Sequence, residues 1–168
     1  MTNKTIYLLI GPKGSGKSFI GTLMDQKFGI PFIRVEDWAK KVKKDRQIDN
    51  EDYLSDVFSA IEKGIRHALD MHDKIVFEST GLTPYFDQMF ESINRDFSVV
   101  TIGVHANHER CLHRVKSRDQ SIHINVSDEQ VNEINKQVKE KGMRTDFQLI
   151  NEDKSVEELV SEMREIMK

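Results

Sequence analysis

The segment Gly11-Pro12-Lys13-Gly14-Ser15-Gly16-Lys17-Ser18 fills every fixed position of the pattern G-x-x-x-x-G-K-[ST]. Residue types in that order suit one chemistry, the holding of a phosphate chain. The glycines let the backbone turn tightly and aim successive N–H groups at phosphate oxygens. A helix beginning there adds the partial positive charge of its N-terminus. Lys17 is the cation that reaches the β- and γ-phosphates, and Ser18 is the hydroxyl that takes Mg²⁺. Gly11 through Phe19 is therefore the predicted nucleotide-binding segment.

Three further groups of residues have suitable types. Glu36 and Asp37 follow a short apolar run, where a carboxylate can accept a proton from an acceptor hydroxyl or hold a cation through water. The same two acids also suit the first turn of a helix. Glu78 ends the hydrophobic stretch Lys74-Ile75-Val76-Phe77, the pattern of an acid that supports a metal through water. Ser79-Thr80-Gly81 behind it reads either as acceptor contacts or as turn chemistry. Arg114 and Arg118 are four residues apart and share one helix face, where guanidinium planes can clamp phosphates or stack on a base. A solvated basic face is the alternative. The four histidines at 67, 72, 105 and 108 show no metal-ligand spacing with acids and read as structural, as does Cys111.

These residues need elements to position them. Thr5–Ile10, Pro31–Val35, Lys74–Glu78, Phe97–Val104 and Phe147–Ile150 are short apolar runs that read as five buried strands. Between them lie helical patterns at Lys17–Phe28, Glu36–Lys44, Glu51–Met71, from Pro84, at Asn107–Arg118, and after Ser127 and Ser155. Thr83 caps ahead of Pro84, and Ser127 with Gln130 and Ser155 with Glu158 form capping boxes. Strands alternating with helices predict one α/β domain over residues 1–168: a three-layer α/β/α sandwich around a five-stranded parallel sheet. Ligands then bind beyond the carboxyl ends of the strands. Asp119–Val126 is the candidate for a short lid; without a cysteine pair it carries no zinc.

The chain has 168 residues and a formal net charge of −3. That balance argues against extended nucleic-acid binding. A single cysteine forms no internal disulfide and fits the reducing cytoplasm. No apolar run approaches the roughly 20 residues of a membrane span, and Met1–Ile10 lacks the character of a signal peptide.

Ile6–Pro31 resembles the first strand, P-loop and helix of the small P-loop kinases, the nucleoside-monophosphate, shikimate and gluconate kinase group. Asn107–Arg118 resembles their lid-flanking helix, and Asp146–Glu158 their final strand, loop and helix. The resemblance implies that of Arg114 and Arg118 one lies against adenine while the other touches phosphates. It also implies that the loop from Asn151 to Lys154 cradles adenine. Shikimate kinases carry an Asp-x-Asp pair where this chain has Arg34 and Glu36. Their Gly-Gly-Gly run is here Ser79-Thr80-Gly81, and their Phe-Arg-x-x-Glu segment has no counterpart near Phe58.

The expectation is a Mg²⁺- and ATP-dependent kinase for a small molecule carrying a hydroxyl or phosphate acceptor, with shikimate a poor substrate. Its expected catalytic residues are Lys17, Glu36, Asp37, Arg114 and Arg118. Gly11, Pro12, Lys13, Gly14, Ser15, Gly16, Lys17, Ser18, Phe19, Arg114, Arg118 and Asn151 hold nucleotide; Ser18, Glu36 and Glu78 support metal. A nucleic-acid or sugar kinase of the same fold, and a nucleotide-binding regulatory module with little turnover, are the competing expectations. The oligomeric state is left open.

Overall fold

The computed structural model of the chain describes residues 3–43, 51–117 and 127–168. Four strands run in parallel: β1 (Thr5–Ile10), β2 (Lys74–Ser79), β3 (Ser98–His105) and β4 (Phe147–Ile150). Their order across the sheet is β2-β1-β3-β4. The helices are α1 (Lys17–Phe28), α2 (Val35–Lys43), α3 (Glu51–Met71), α4 (Pro84–Asp96), α5 (His108–Ser117), α6 (Asp128–Lys141) and α7 (Val156–Ile166).

Side chains of β1 alternate between two cores, as the two-residue period of a strand requires. Ile6, Leu8 and Ile10 join residues of α2, α3 and α4 on one face. Tyr7 and Leu9 join α1 and α7 on the other. Burial on both faces is why the strand carries no polar alternation. The result is the expected three-layer α/β architecture.

The expected fifth strand at Pro31–Val35 is not a full strand. Only Phe32 pairs with Val76, through Val76 N–H to Pro31 O and Ile33 N–H to Val76 O. Pro31 has no N–H to offer, and the Phe32 N–H goes to Asp25 Oδ2 at 3.1 Å. Val35 already opens α2, and the Asp37 N–H bonds Arg34 O. The segment thus extends the β2 edge by one bridge, and Glu36 and Asp37 lie in a helical first turn rather than in a strand-end loop.

The helix ends follow their sequence signals. Thr83 accepts from the Phe86 N–H with Pro84 in the first turn. Both capping boxes, Ser127/Gln130 and Ser155/Glu158, are closed in both directions. Trp38 packs against Gly64 of α3 within the first core and is not part of the cleft lining. Among the described residues, no helix is long and apolar enough to cross a membrane.

Candidate active site

β1 delivers the phosphate-binding loop to the carboxyl end of the sheet, and the loop's glycines are required by contact as well as by dihedral angle. A Cβ on Gly11 would lie 2.1 Å from Val104 O. Gly14, at φ +83°, would meet Cys111 O at the same distance. Gly16 is left-handed at φ 96° and opens α1 without a side-chain cap. The first amides of α1 therefore have no partner within the helix and face the loop, the arrangement that receives an anion.

The carbonyls of the loop are held from outside. Arg114 Nη1 donates to Gly14 O (3.3 Å) and Ser15 O (3.2 Å), and its Nη2 donates to Asn151 O (2.9 Å). Asn151, itself buried, donates Nδ2 to Ser15 O at 3.0 Å. Asn135 of α6 grips Lys13 at both ends: its Oδ1 accepts from the Lys13 N–H at 2.7 Å and its Nδ2 donates to Lys13 O at 3.1 Å. With carbonyls tied outward, the remaining amides of the loop are oriented without reorganisation on binding, the electrostatic requirement of such a site.

Lys17 is buried, and its Nζ donates to Gly11 O (2.9 Å) and Pro12 O (2.8 Å). Burial lowers its pKa to about 8, Lys13 adds to that shift, and the nearby carboxylates of Glu78 and Glu36 oppose it. A buried cation that water cannot solvate is a strong receptor for phosphate. The Ser15 hydroxyl, beneath the loop and 3.1 Å from where a Gly11 Cβ would stand, is a buried polar atom without a hydrogen-bond partner among the described residues.

Beside the loop lies a cleft of about 350 Å³. Lys13, Gly14, Gly16, Lys17, Ser18 and Phe19 form its floor, and Glu36, Glu78, Ser79, Thr80 and Arg114 its polar walls. Phe58, Ile61, Phe77 and Met89 supply an apolar side. Lys17 and Ser18 of α1, Glu36 of α2, Glu78 of β2 and Arg114 of α5, all sequence-predicted, thus converge. Asp37 does not join them; it is exposed on α2 and absent from the lining, because one residue along a helix turns the side chain by about 100°. Pro12 faces away from the cleft into a second cavity. Asn151 braces the loop with its side chain, and its carbonyl is taken by Arg114. Arg118 and the lid candidate 119–126 lie outside the described residues.

The donor set suits Mg²⁺ held largely by phosphate. Among the described residues no group of three or more His, Cys, Asp or Glu is placed to hold a metal. Mg²⁺ is ordinarily bound through one or two protein carboxylates with substrate phosphates and water, and the cleft offers two, Glu36 and Glu78, beside the Ser18 hydroxyl.

Asn135 was not singled out by the sequence reading, yet its signal is present. Val131, Ile134, Asn135 and Val138 make one helical stripe, and a buried amide inside an apolar stripe needs a partner. Here the partner is the phosphate-binding loop.

No curated protein sequence matches the chain. Solved structures do, over nearly the full length. A shikimate kinase from Bacteroides thetaiotaomicron aligns with 14% identity and a TM-score of 0.69, covering 97% of this chain and 98% of that one. An APS kinase from Mycobacterium tuberculosis, in complex with AMPPNP and APS, aligns with 12% identity and a TM-score of 0.66, covering 99% of both. A gluconokinase from Sinorhizobium meliloti aligns with 17% identity and a TM-score of 0.62, covering 99% and 91%. The fold is therefore that of the small P-loop kinases. A family model described as "AAA domain" matches residues 6–141, most of the length, and the chain belongs to that family.

Proposed function

We propose that the protein is an ATP- and Mg²⁺-dependent kinase acting on a small molecule that carries a hydroxyl or phosphate acceptor. The observation that carries this reading is the convergence of Lys17, Ser18, Glu36, Glu78 and Arg114 on one cleft at a complete phosphate-binding loop. Binding of Mg·ATP alone accounts for one carboxylate near the loop, the acid that supports the metal through water. Here two face it, close enough for both to act on the Lys17 charge.

Each residue has a role set by its chemistry. The loop amides and Lys17 neutralise the β- and γ-phosphates, and Arg114 spreads further positive charge over the nucleotide side. Ser18, and Glu78 through water, would hold Mg²⁺, which would supply screening of the phosphate charge. Glu36 accepts the proton of an acceptor hydroxyl as that oxygen bonds to the γ-phosphorus. The bond from phosphorus to the β–γ bridging oxygen breaks, and its electron pair departs on ADP. Positioning and electrostatics supply most of the rate in such a transfer.

Shikimate does not suit the cleft. Arg34 lies over the Phe32 ring, 5.8 Å from its centroid, and is not part of the lining. The arginine of the Phe-Arg-x-x-Glu segment has no counterpart: the residue after Phe58 is Ser59, exposed on α3 and outside the cleft lining. An acceptor with an apolar body and one reacting hydroxyl or phosphate fits better. The test is ADP release from Mg·ATP with and without a pool of hydroxylated and phosphorylated metabolites, for wild type and Lys17→Ala. Acceptor-stimulated turnover confined to wild type is expected. Binding of ATP without stimulation by any acceptor would contradict the kinase reading and favour a regulatory nucleotide binder.

A further inference from the structure

A second cavity of about 780 Å³ lies behind the phosphate-binding loop, between α6 and the ends of β1, β3 and β4. It is larger than the cleft and within the range of about 300–1,000 Å³ usual for small-molecule sites. Ile10, Gly11 and Pro12 form one wall and separate it from the cleft floor; Thr80 belongs to both linings.

Its charge sets it apart. In a chain of net charge −3, the described residues of this lining include Lys136, Lys139, Lys141, His105 and His108 and no Asp or Glu. Lys141 is engaged, donating to Gly81 O and pairing with Asp87. Lys136 and Lys139 form no ion pair among the described residues. Asn132, Lys136 and Lys139 recur at helical spacing, so one face of α6 turns both charge and amide groups to the cavity. His105 of β3 and Gln148 of β4 line it from the sheet side, and His108 from the start of α5. Charge of one sign along the mouth of a cavity draws in a counter-ion.

We propose that this cavity is a second binding site, separate from the cleft, for a small phosphate ester that carries hydroxyl groups. Lys136 and Lys139 pair with the phosphate, and the amides of Asn132 and Gln148 meet the hydroxyls. The volume holds either a sugar phosphate or a mononucleotide, which share that chemistry. The site does not depend on the kinase reading, because none of these cations lines the cleft.

Calorimetric titration tests it with ribose 5-phosphate and AMP, using ribose and adenosine as uncharged counterparts. Each titration is made on protein whose cleft is saturated with a non-hydrolysable ATP analogue and Mg²⁺, and again on Lys17→Ala. At least one phosphate ester is expected to bind at one equivalent with Kd below about 1 mM, the weak end of specific recognition. That affinity persists in both backgrounds and falls at least tenfold in Lys136→Glu/Lys139→Glu. The milder Lys136→Ala/Lys139→Ala pair should show the same direction if the charge reversal folds poorly. Binding of ribose 5-phosphate as well as AMP marks a sugar-phosphate site; binding of AMP alone marks a mononucleotide site. The proposal is overturned if neither ester binds, if the uncharged counterparts bind equally, or if binding vanishes when the cleft is filled.

Discussion

Nucleotide binding should draw a proton onto Lys17. In the free protein, burial lowers the Lys17 pKa to about 8 from the ordinary 10.5. The Coulombic pull of Glu78 and Glu36 is already included in that balance. At pH 8.5 a group of pKa about 8 is about one-quarter protonated; beside phosphate it returns to near its ordinary value and is almost fully protonated. Binding therefore takes up about 0.7 proton at pH 8.5 and about 0.1 at pH 7 through this group. The phosphates of ATP contribute little at the higher pH, because their last ionisation lies near pH 6. Calorimetry of Mg·ATP binding in buffers of different ionisation enthalpy reads the uptake as a slope. Lys17→Arg, whose guanidinium stays charged, should show none. Equal slopes for wild type and Lys17→Arg at pH 8.5 would show that Lys17 takes up no proton when nucleotide binds. The same depressed pKa makes stability rise with pH. Between about 8 and 10.5 the unfolded chain binds the extra proton, so stability from this residue rises across that window, is complete above it and is lost as pH falls back through the window to 8. The gain is about 3 kcal/mol for a shift of this size, visible as a rise in urea midpoint that Lys17→Met abolishes.

Asn135→Ala should remove the two hydrogen bonds that hold the Lys13 backbone, N–H and C=O, at about 1 kcal/mol for each part-buried bond lost. It should weaken Mg·ATP binding about tenfold, measured by calorimetry, with a smaller change in melting temperature than a core truncation. Glu36→Gln should cut kcat by about 10²-fold, the usual scale of general-base loss, with KM for ATP little changed. Asp37→Asn should have a much smaller effect in the same coupled assay. Shikimate should give a kcat/KM below about 10⁴ M⁻¹s⁻¹, the lower end of ordinary enzymes.

The layered α/β fold was legible because Thr5–Ile10 and Lys74–Glu78 are apolar on both sides, a pattern that only a covered parallel sheet satisfies. The caps at Thr83, Ser127 and Ser155 were legible because capping is local chemistry. Pro31–Val35 was misjudged as a full strand, since its composition is strand-like. What limits it is a missing proline donor and the start of α2, both of which act through neighbouring elements. The choice between Glu36 and Asp37 depends on the rotation of α2, which a boundary shift of one residue changes by about 100°. Asn135 touches Lys13 across 122 positions of chain, a distance at which spacing carries no signal. The second cavity takes residues from five separate stretches of chain, so its shared charge becomes apparent only when α6 folds over the sheet.

A crystal structure with Mg²⁺ and a non-hydrolysable ATP analogue reads the phosphate positions themselves. Lys17 Nζ is expected to leave Gly11 O and Pro12 O for the β- and γ-phosphates, Ser18 Oγ to ligate the cation, and the γ-phosphate to face Glu36 across the cleft. Phosphates bound away from residues 11–18, or a γ-phosphate with Glu36 and Glu78 both out of reach even through one water, would contradict the kinase reading.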